Sequence, residues 1–343
     1  MSTVVEQFKP RSGTQRSKSP VFVVGCPRSG TSLLYHSLLS AGGFPFYDEE
    51  THFFSGLAPR VGSLNHLKNR KKLIEKWRRS DCLKVTGIDR EQVERQILND
   101  CRNSGDFLRI VMDNMARSQN AERWSEKTPD HVLYLREIKR TIPNALFIHI
   151  IRDGRDVALS LDGKGFLNPY LLRKSHSLLV CGIYWDWLVE SGRNMAQELG
   201  SQYLEVRFED LVSKPRETFA RVGDFIDQDL DHDRIRDQGV CTVSNPNTSF
   251  DNSKNPEGFN PVDRWRQDFP SGELGKVEAL LGDNLLKLGY ELSTAHKPAR
   301  DIRLWSLRTY YRSYFSSRLW MKTHNLPLMK YFVRDRYLAK HEQ

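Results

Sequence analysis

The stretch VFVVGCPRSGTSLLYHSLLS, Val21 to Ser40, joins an apolar run to a glycine-bounded turn and then to a helical pattern. Val21 to Val24 is continuous and rich in β-branched residues, which is typical of a strand buried in a parallel sheet. After the turn, apolar residues recur at helical spacing until Gly42. Strand, turn and helix in this order predict a phosphate-binding loop at the end of a buried strand.

Two later stretches repeat the alternation of strand and helix. ALFIHIIRDGRDVALSL predicts a strand from Ala145 to Ile151 and a helix opened by Asp153 and Gly154. YLEVRFEDLV predicts a third strand, Tyr203 to Phe208, followed by the helical stretch KPRETFARVGDFI. We therefore expect an α/β fold, a P-loop-like and mainly parallel sheet with helices on both faces. Residues 64–120 are mostly helical by periodicity and predict helical insertions.

The composition predicts one catalytic domain with two extensions. The chain has 343 residues, 38% of them hydrophobic and 28% charged, which is enough to bury one large core. We expect a disordered tail over 1–19, a catalytic domain over 20–296 and a basic, aromatic, helical tail over 297–343. Between Arg300 and Gln343 there are ten Lys or Arg and three acidic residues, so most of the formal net charge of +9 lies there.

Cysteine usage and hydropathy predict the compartment. The five cysteines are odd in number and lack CxxC spacing, so free thiols are expected. The N-terminal stretch has no apolar run like that of a signal peptide, and nowhere do about 18 apolar residues follow one another. We expect a cytoplasmic protein.

The turn after the first strand lacks the lysine of triphosphate-binding loops. In the pattern GxxxxGK[ST] that lysine grips the outer phosphates and the hydroxyl coordinates magnesium. Here Thr31 stands at the lysine position and Arg28 lies in the middle of the loop. The loop amides and the following helix can still hold a single phosphate or sulfate. The second strand ends in Arg152 where nucleotide hydrolases place a magnesium-binding Asp, so we expect two anion sites and metal-independent chemistry.

These two strand ends resemble the motifs of a known family. GCPRSGTSLL resembles the 5′-phosphosulfate loop of the sulfotransferases, and IRDGRDVALS resembles their 3′-phosphate motif. DEETHFF (Asp48 to Phe54), SEKTPDH (Ser125 to His131) and RFEDLV (Arg207 to Val212) agree in order and spacing. The series resembles the bacterial and protein-tyrosine sulfotransferases more than the cytosolic aryl and steroid group. The resemblance implies a sulfotransferase that moves the sulfuryl group of 3′-phosphoadenosine 5′-phosphosulfate to a hydroxyl acceptor by in-line displacement.

The resemblance also implies the residues that act on the transferring group. Arg28 approaches it, and the fork of donors on an arginine suits a tetrahedral anion. Glu50 lies near the position of the base that takes the acceptor proton. The adjacent Glu49 is an alternative base, and His52 is a further candidate for proton transfer. We expect the glutamate that is not the base to cap a helix beginning near Thr51.

Two further cations near these motifs have competing interpretations. Lys127, in EKTP, matches the lysine that the resembling enzymes place on the bridging oxygen to stabilise the leaving group. Its other interpretation is a surface ion pair with Glu126, which would contribute little. Arg155 is interpreted as a charge on the surface of a helix and is not assigned to the site.

Ten residues are implied to bind the nucleotide. The loop and the start of its helix supply Arg28, Ser29, Gly30, Thr31 and Ser32, and the 3′-phosphate motif supplies Arg152, Ser160 and Lys164. Two later segments supply Phe208, which is expected to pack against adenine, and Arg264. Residues 242–263 lack periodicity and are rich in Asn, Ser, Pro and Gly, as in loops that act as lids. We expect this loop to close over the nucleotide, with Ser249 or Ser253 as contacts.

Other functions and partners stay open from the sequence. A P-loop nucleotide kinase or hydrolase would share the sheet, and a catalytically inactive relative would keep the nucleotide site. The acceptor hydroxyl could belong to a small molecule, a lipid, a glycan or a peptide, because insertions at 55–120 and 165–180 shape its pocket. Residues 300–343 either dock on the main domain or lie on an anionic membrane as amphipathic helices. No motif for nucleic-acid recognition is present, so no nucleic-acid partner is expected.

Overall fold

One parallel sheet carries helices on both faces. The computed structural model describes residues 15–80, 85, 87–167, 177–237, 260–270, 272–293 and 301–324. The strands are β1 (Val21–Gly25), β2 (Ser125–Lys127), β3 (Leu146–Ile151) and β4 (Tyr203–Arg207). The α-helices are α1 (Thr31–Ala41), α2 (Leu67–Arg79), α3 (Arg90–Asp100), α4 (Ser104–Ser118), α5 (Leu135–Thr141), α6 (Gly154–Gly163), α7 (Ser177–Asn194), α8 (Ala196–Leu199), α9 (Phe208–Ser213), α10 (Pro215–Ile226), α11 (His232–Asp237), α12 (Trp265–Asp268), α13 (Leu274–Lys287) and α14 (Ile302–Thr323).

The strand order brings the predicted loops to one edge. The four strands are parallel in the order β2-β1-β3-β4. Val21 aligns with Leu146 of β3, and Val23 aligns with Lys127 of β2. Because ligands of parallel sheets bind outside the carboxyl ends of the strands, this edge is where a site is expected. The predicted α/β architecture is confirmed.

Two apolar cores lie on the two faces of the sheet. Phe22 and Phe147 face the core that includes residues of α4, α7 and α13, and their rings stack with centroids 5.7 Å apart. Val23 and Ile148 face the core formed with α1 and α10. Successive side chains of a strand point to opposite faces, so a strand covered on both faces needs apolar residues at every position. This requirement explains the unbroken apolar runs of β1 and β3.

Two predicted boundaries differ from the structure. β4 ends at Arg207, one residue earlier than predicted, because Phe208 already begins α9. The helix expected near Thr51 is a single π-helical turn, Phe53–Leu57, and no side chain caps it. The expectation that Glu49 or Glu50 caps this helix is wrong, because His52 itself occupies the cap position.

Arg155 is buried rather than on the helix surface, so that interpretation is wrong. Only 1% of the residue is exposed. Its guanidinium donates to Asp153 at 2.7 Å and to Glu278 of α13 at 2.6 Å, and it lies 3.5 Å from the ring centroid of Trp265. Asp153 also caps α6 by accepting from the Arg155 amide. Arg155 therefore ties α6 to α13 and to α12.

The described part of the C-terminal tail docks on the main domain. Tyr311 and Phe315 of α14 are buried against the core that contains α7. Arg308 and Arg312 donate to the buried Asp186 of α7, at 2.8 and 2.6 Å. Among the described residues, no helix combines the length and the apolarity needed to cross a bilayer.

Some predicted features lie partly or wholly outside the described residues. Within the predicted tail 1–19, Gln15–Lys18 forms a 3-10 turn, and the Arg16 carbonyl accepts from Arg123 at 3.1 Å. Residues 238–259 are outside the described ranges, and with them Ser249, Ser253 and most of the predicted lid. The limits 1–19, 20–296 and 297–343 stay predictions.

His149 of β3 should make the stability of the fold depend on pH. Its Nδ1 lies 2.5 Å from the Tyr203 hydroxyl, and burial, helped by the charge of Arg193, lowers its pKa to about 3. An unfolded histidine binds a proton near pH 6.5. The folded state should therefore lose stability as the pH falls from about 6.5 to 3, by up to about 1.4 kcal/mol per pH unit.

The variant His149→Gln should remove this contribution. Between pH 7.5 and pH 5, the loss of unfolding free energy should be smaller in His149→Gln than in the wild type by about 2 kcal/mol. Urea titrations at both pH values measure it, with His66→Gln on the exposed surface as the control. An equal pH dependence in wild type and His149→Gln would contradict the prediction.

Candidate active site

The loop between β1 and α1 has the backbone shape expected of an anion cradle. Arg28 and Gly30 have φ of 73° and 94°, in the left-handed region. A Cβ on Gly30 would lie 2.3 Å from Cδ2 of Phe208, so the loop and the phenyl ring fit together only with glycine here. The Ser29 hydroxyl is buried and has no hydrogen-bond partner among the described residues. No side chain caps α1, so amides of its first turn can donate to an anion.

The predicted 3′-phosphate residues lie directly beside this loop. Arg28 Nε donates to Ser160 Oγ at 3.0 Å, and Arg152 Nη1 donates to the Arg28 carbonyl at 3.2 Å. Arg152 is buried, its guanidinium lies 4.7 Å from the ring centroid of the buried Phe208, and its Nε has no partner among the described residues. Asp156 balances this charge in part, at 3.5 Å from Arg152. The two strand ends therefore form one cationic cluster.

The other predicted nucleotide contacts have no described hydrogen bond to Arg28 or Arg152. Thr31 and Ser32 open α1, as the pattern predicted. Lys164 is exposed at the end of α6. Arg264 immediately precedes α12 and donates to Asp268 at 2.7 Å. These assignments stay predictions of the resemblance.

Lys127 ends β2 and lies between the loop and Glu50. Its Nζ is 3.1 Å from Glu50 Oε1 and 3.5 Å from Ser32 Oγ. The surface ion pair with Glu126 is therefore wrong. Side chains alternate along a strand, and Glu126 instead lies 3.0 Å from His131, with both side chains fully buried.

The structure brings Glu50, rather than Glu49, to Lys127. Glu49 is exposed, whereas the Glu50 side chain is 27% exposed and also contacts His52 at 3.2 Å. Burial acts to raise the pKa of Glu50, but the hydrogen bond from His52 and the charge of Lys127 outweigh it and lower that pKa to about 2. Burial likewise acts to lower the pKa of His52, but Glu50 and Asp130 outweigh it and raise that pKa. Glu50 is therefore ionised at neutral pH.

Sequence reasoning missed the polar layer behind Glu50. Glu126 accepts hydrogen bonds from Thr51, at 2.7 Å, and from Thr128. All three residues lie inside motifs quoted above, but their neighbours in the sequence are mostly polar too, so no local pattern marked them as buried. Nothing in the sequence pairs Thr51 with a residue 75 positions away.

The residues present fit a nucleotide that carries an anion at each end. The unpartnered Ser29 hydroxyl and the uncapped start of α1 suit one anion, and Arg152 with Ser160 suits the other. Lys127 and Glu50 lie on the side of the loop where Ser32 opens α1. The geometry thus separates nucleotide binding from a place where a proton can be taken.

Gly30→Ala should weaken nucleotide binding. The added Cβ would meet the Phe208 ring, and the left-handed φ strains any other residue, so the loop must shift. We expect affinity for adenosine 3′,5′-bisphosphate to fall about tenfold or more, which is about 1.4 kcal/mol, by isothermal titration calorimetry. Gly163→Ala in α6 is the control, because nothing lies within 4 Å of its Cβ. Equal affinities of the two variants would contradict the prediction.

Comparison with known proteins identifies the family. A model described as the sulfotransferase family matches residues 20–232. Protein-tyrosine sulfotransferase A of Caenorhabditis elegans is 25% identical over 286 residues, which cover 81% of this chain and 69% of that protein. The sulfotransferase domain from the Synechococcus PCC 7002 olefin synthase aligns with a TM-score of 0.50 and 21% identity, covering 84% of this chain and 100% of that domain.

The family match includes both strand ends predicted to bind anions and Lys127. It sets aside the nucleotide kinase or hydrolase interpretation, and the structural likeness supports the same fold. Since the match spans more than half of the chain, the protein belongs to the sulfotransferase family and is an enzyme that takes its sulfuryl group from 3′-phosphoadenosine 5′-phosphosulfate.

Proposed function

We propose that this sulfotransferase transfers the sulfuryl group in line to a hydroxyl acceptor, with Glu50 as the general base. The observation that carries the proposal is the contact of Glu50 with Lys127, which also reaches Ser32 of the donor loop. This contact puts a carboxylate and an amine next to the predicted sulfuryl end of the nucleotide. In-line transfer needs such groups on either side of the transferring centre.

The cations of the loop region would hold the donor nucleotide, which supplies an activated sulfuryl group. Arg28, Ser29 and the first amides of α1 would hold the phosphosulfate end, and Arg152 with Ser160 the 3′-phosphate. Arg28 is fixed before reaction by its contact to Ser160. Charges fixed in advance stabilise developing negative charge without the cost of reorganising solvent.

Glu50 would take the proton of the acceptor hydroxyl. Its low pKa keeps it ionised, but two cationic partners also make it a weak base. Lys127 is shared between Glu50 and the donor loop. When its ammonium moves toward the leaving-group side, Glu50 loses a cationic neighbour and its proton affinity rises. His52 stays as the partner that orients the carboxylate.

A tyrosine hydroxyl is the acceptor we propose to test first. The similarity to protein-tyrosine sulfotransferase A supports this choice. A transfer assay with labelled donor and a mixed acceptor set, comprising a tyrosine peptide, a phenol, a glycan and a hydroxylated lipid, separates the classes. Label in the peptide supports tyrosine as the acceptor. Label in another class contradicts that choice and identifies the acceptor class instead. No label in any class would support an inactive, nucleotide-binding relative.

Glu50→Gln should abolish most transfer while leaving nucleotide binding intact. Removing a general base lowers the rate by about 100-fold or more. Because Gln keeps the volume and lies outside the predicted nucleotide contacts, affinity for adenosine 3′,5′-bisphosphate should stay within about twofold of the wild type. Glu49→Gln is the matched control, since Glu49 is exposed and adjacent. Full activity in Glu50→Gln together with a large loss in Glu49→Gln would move the base to Glu49.

We also propose that α14 rests on an anionic membrane surface. The outer face of α14 is the side turned away from α7, and none of its residues is charged. Ile302, Trp305 and Trp320 are 75%, 64% and 54% exposed. With 3.6 residues per turn, Ile302 and Trp320 lie on one line and Trp305 lies about 60° away. The exposed residues of the outer face include Ile302, Trp305, Thr309, Ser313, Ser316 and Trp320.

Charge complementarity favours a lipid surface as the partner of the outer face. The ten Lys or Arg between Arg300 and Gln343 exceed the three acidic residues there by seven, and two of the ten, Arg308 and Arg312, are paired with Asp186 of α7. Exposed tryptophans on an uncharged helix face, together with a local excess of cations, are typical of helices that lie in the headgroup region. Each cation near an anionic surface adds attraction that salt screens.

Sedimentation with phosphatidylserine-containing vesicles tests this proposal. The full chain should sediment with these vesicles and much less with neutral ones. The double variant Trp305→Ser/Trp320→Ser should lower binding about tenfold. Leu286→Ser, which removes an exposed apolar side chain of α13, is the control and should bind as the wild type does. Equal recovery of all variants would rule out the membrane surface, and a dimer lost only in the double variant would indicate a second copy instead.

A further inference from the structure

A buried carboxylate lies behind the reacting side chains, and none of the roles above uses it. Glu126 precedes Lys127 in β2 and is fully buried. Its Oε1 accepts from Thr51 Oγ1 at 2.7 Å and from the Thr128 hydroxyl. Its Oε2 lies 3.0 Å from Nδ1 of the buried His131. Both oxygens are therefore engaged, and neither reaches a surface where substrate could bind.

The two threonines adjoin the two groups that act on the substrate. Thr51 follows Glu50 in the chain, and Thr128 follows Lys127. The backbone amide of His52 also donates to the Thr128 hydroxyl, at 3.3 Å. One buried carboxylate thus ties the segment that carries the base to the strand that carries the amine.

The backbone of the tied segment needs such support. His52 has a φ of 44°, in the left-handed region that residues other than glycine rarely adopt. Such a conformation persists only where the surrounding structure fixes it. Thr51 helps to fix it from both sides, because its hydroxyl donates to Glu126 and accepts from the amide of Phe53 at 3.4 Å.

The carboxylate is held in its charged form. Burial acts to raise the pKa of Glu126, but the charge of His131 and the hydrogen bonds of His131, Thr128 and Thr51 outweigh it and lower that pKa. Hydrogen bonds to a charged acceptor are shorter and stronger than those between neutral groups. The charged Glu126 carboxylate, here called the hub, therefore holds the hydroxyls of Thr51 and Thr128 more firmly than a neutral group would.

We infer that Glu126 is a positioning residue for sulfuryl transfer, which sets Glu50 in place against Lys127 through Thr51 and Thr128. It touches neither the nucleotide nor the acceptor. The inference rests on the proposed role of Glu50 as the base. Its test must therefore separate a failure of this hub from a failure of that role.

Paired substitutions at Thr51 isolate the hydroxyl. Thr51→Val keeps the branched shape and removes the hydrogen bond to Glu126, whereas Thr51→Ser keeps the hydroxyl. With the mixed acceptor set, we expect turnover to fall about tenfold in Thr51→Val and to stay within about twofold of the wild type in Thr51→Ser. Affinity for adenosine 3′,5′-bisphosphate should be unchanged in both. Should Thr51→Val fail to fold, Glu126→Gln supplies the same comparison.

A double-mutant cycle with Glu50→Gln decides between positioning and a general structural role. If Thr51 acts by holding the base, Thr51→Val should cost almost nothing further once the base is gone. A repeated tenfold loss in the Glu50→Gln background would overturn the inference. The single variant Glu50→Gln is measured first. If it keeps full activity, the proposed role of Glu50 as the base fails, whatever the Thr51 variants show.

Discussion

Parallel pairing of β1 with both β2 and β3 is the constraint on which the site depends. It brings Arg152 against Arg28 of the loop, 124 positions earlier in the chain, and it brings Lys127 to Ser32 at the start of α1, 95 positions earlier. Any antiparallel arrangement would send one of these loops to the far edge of the sheet. The pairing is secured by two apolar cores, one on each face. A slip of one residue would exchange side chains between the two cores and so break the packing of both.

The site concentrates positive charge, and acidic groups among the described residues compensate for only part of it. Arg152 gives hydrogen bonds to the carbonyls of Arg28 and Pro261 and lies near Asp156. Burial raises the pKa of Asp156 to about 6 even though the charge of Arg152 opposes it. Full neutralisation would leave no attraction for an anion, and no compensation would make the unliganded site costly to fold. The observed balance suits a site that binds and releases a charged nucleotide.

Buried ion pairs recur in the helical layers around the sheet. Arg155 bridges α6 and α13, and Asp186 of α7 accepts from two arginines of α14. Removing one partner of such a pair leaves a buried charge without compensation, which costs several kcal/mol, about 3–5 in measured cases. These pairs fix which helices are neighbours, whereas the apolar contacts around them supply most of the cohesion.

Much of the fold could be predicted from the sequence, because its signals are local. Unbroken apolar runs mark β1 and β3, and Asp153 at the start of α6 was expected to open that helix. The missing loop lysine and the two strand-end arginines likewise pointed to two anion sites. A local pattern fixes the type of an element and the chemistry that it can offer.

Only the tertiary structure decided which of these groups meet. The contact of Lys127 with Glu50 rather than Glu49 joins segments 77 positions apart. The burial of Arg155 depends on its contact with Glu278, 123 positions away, whereas its neighbours in the sequence indicated a position on the helix surface. The network of Thr51, Glu126 and Thr128 is likewise formed across the chain. Contacts between distant segments are set by how the layers pack, and a stretch of sequence carries no information on a partner that packing alone brings to it.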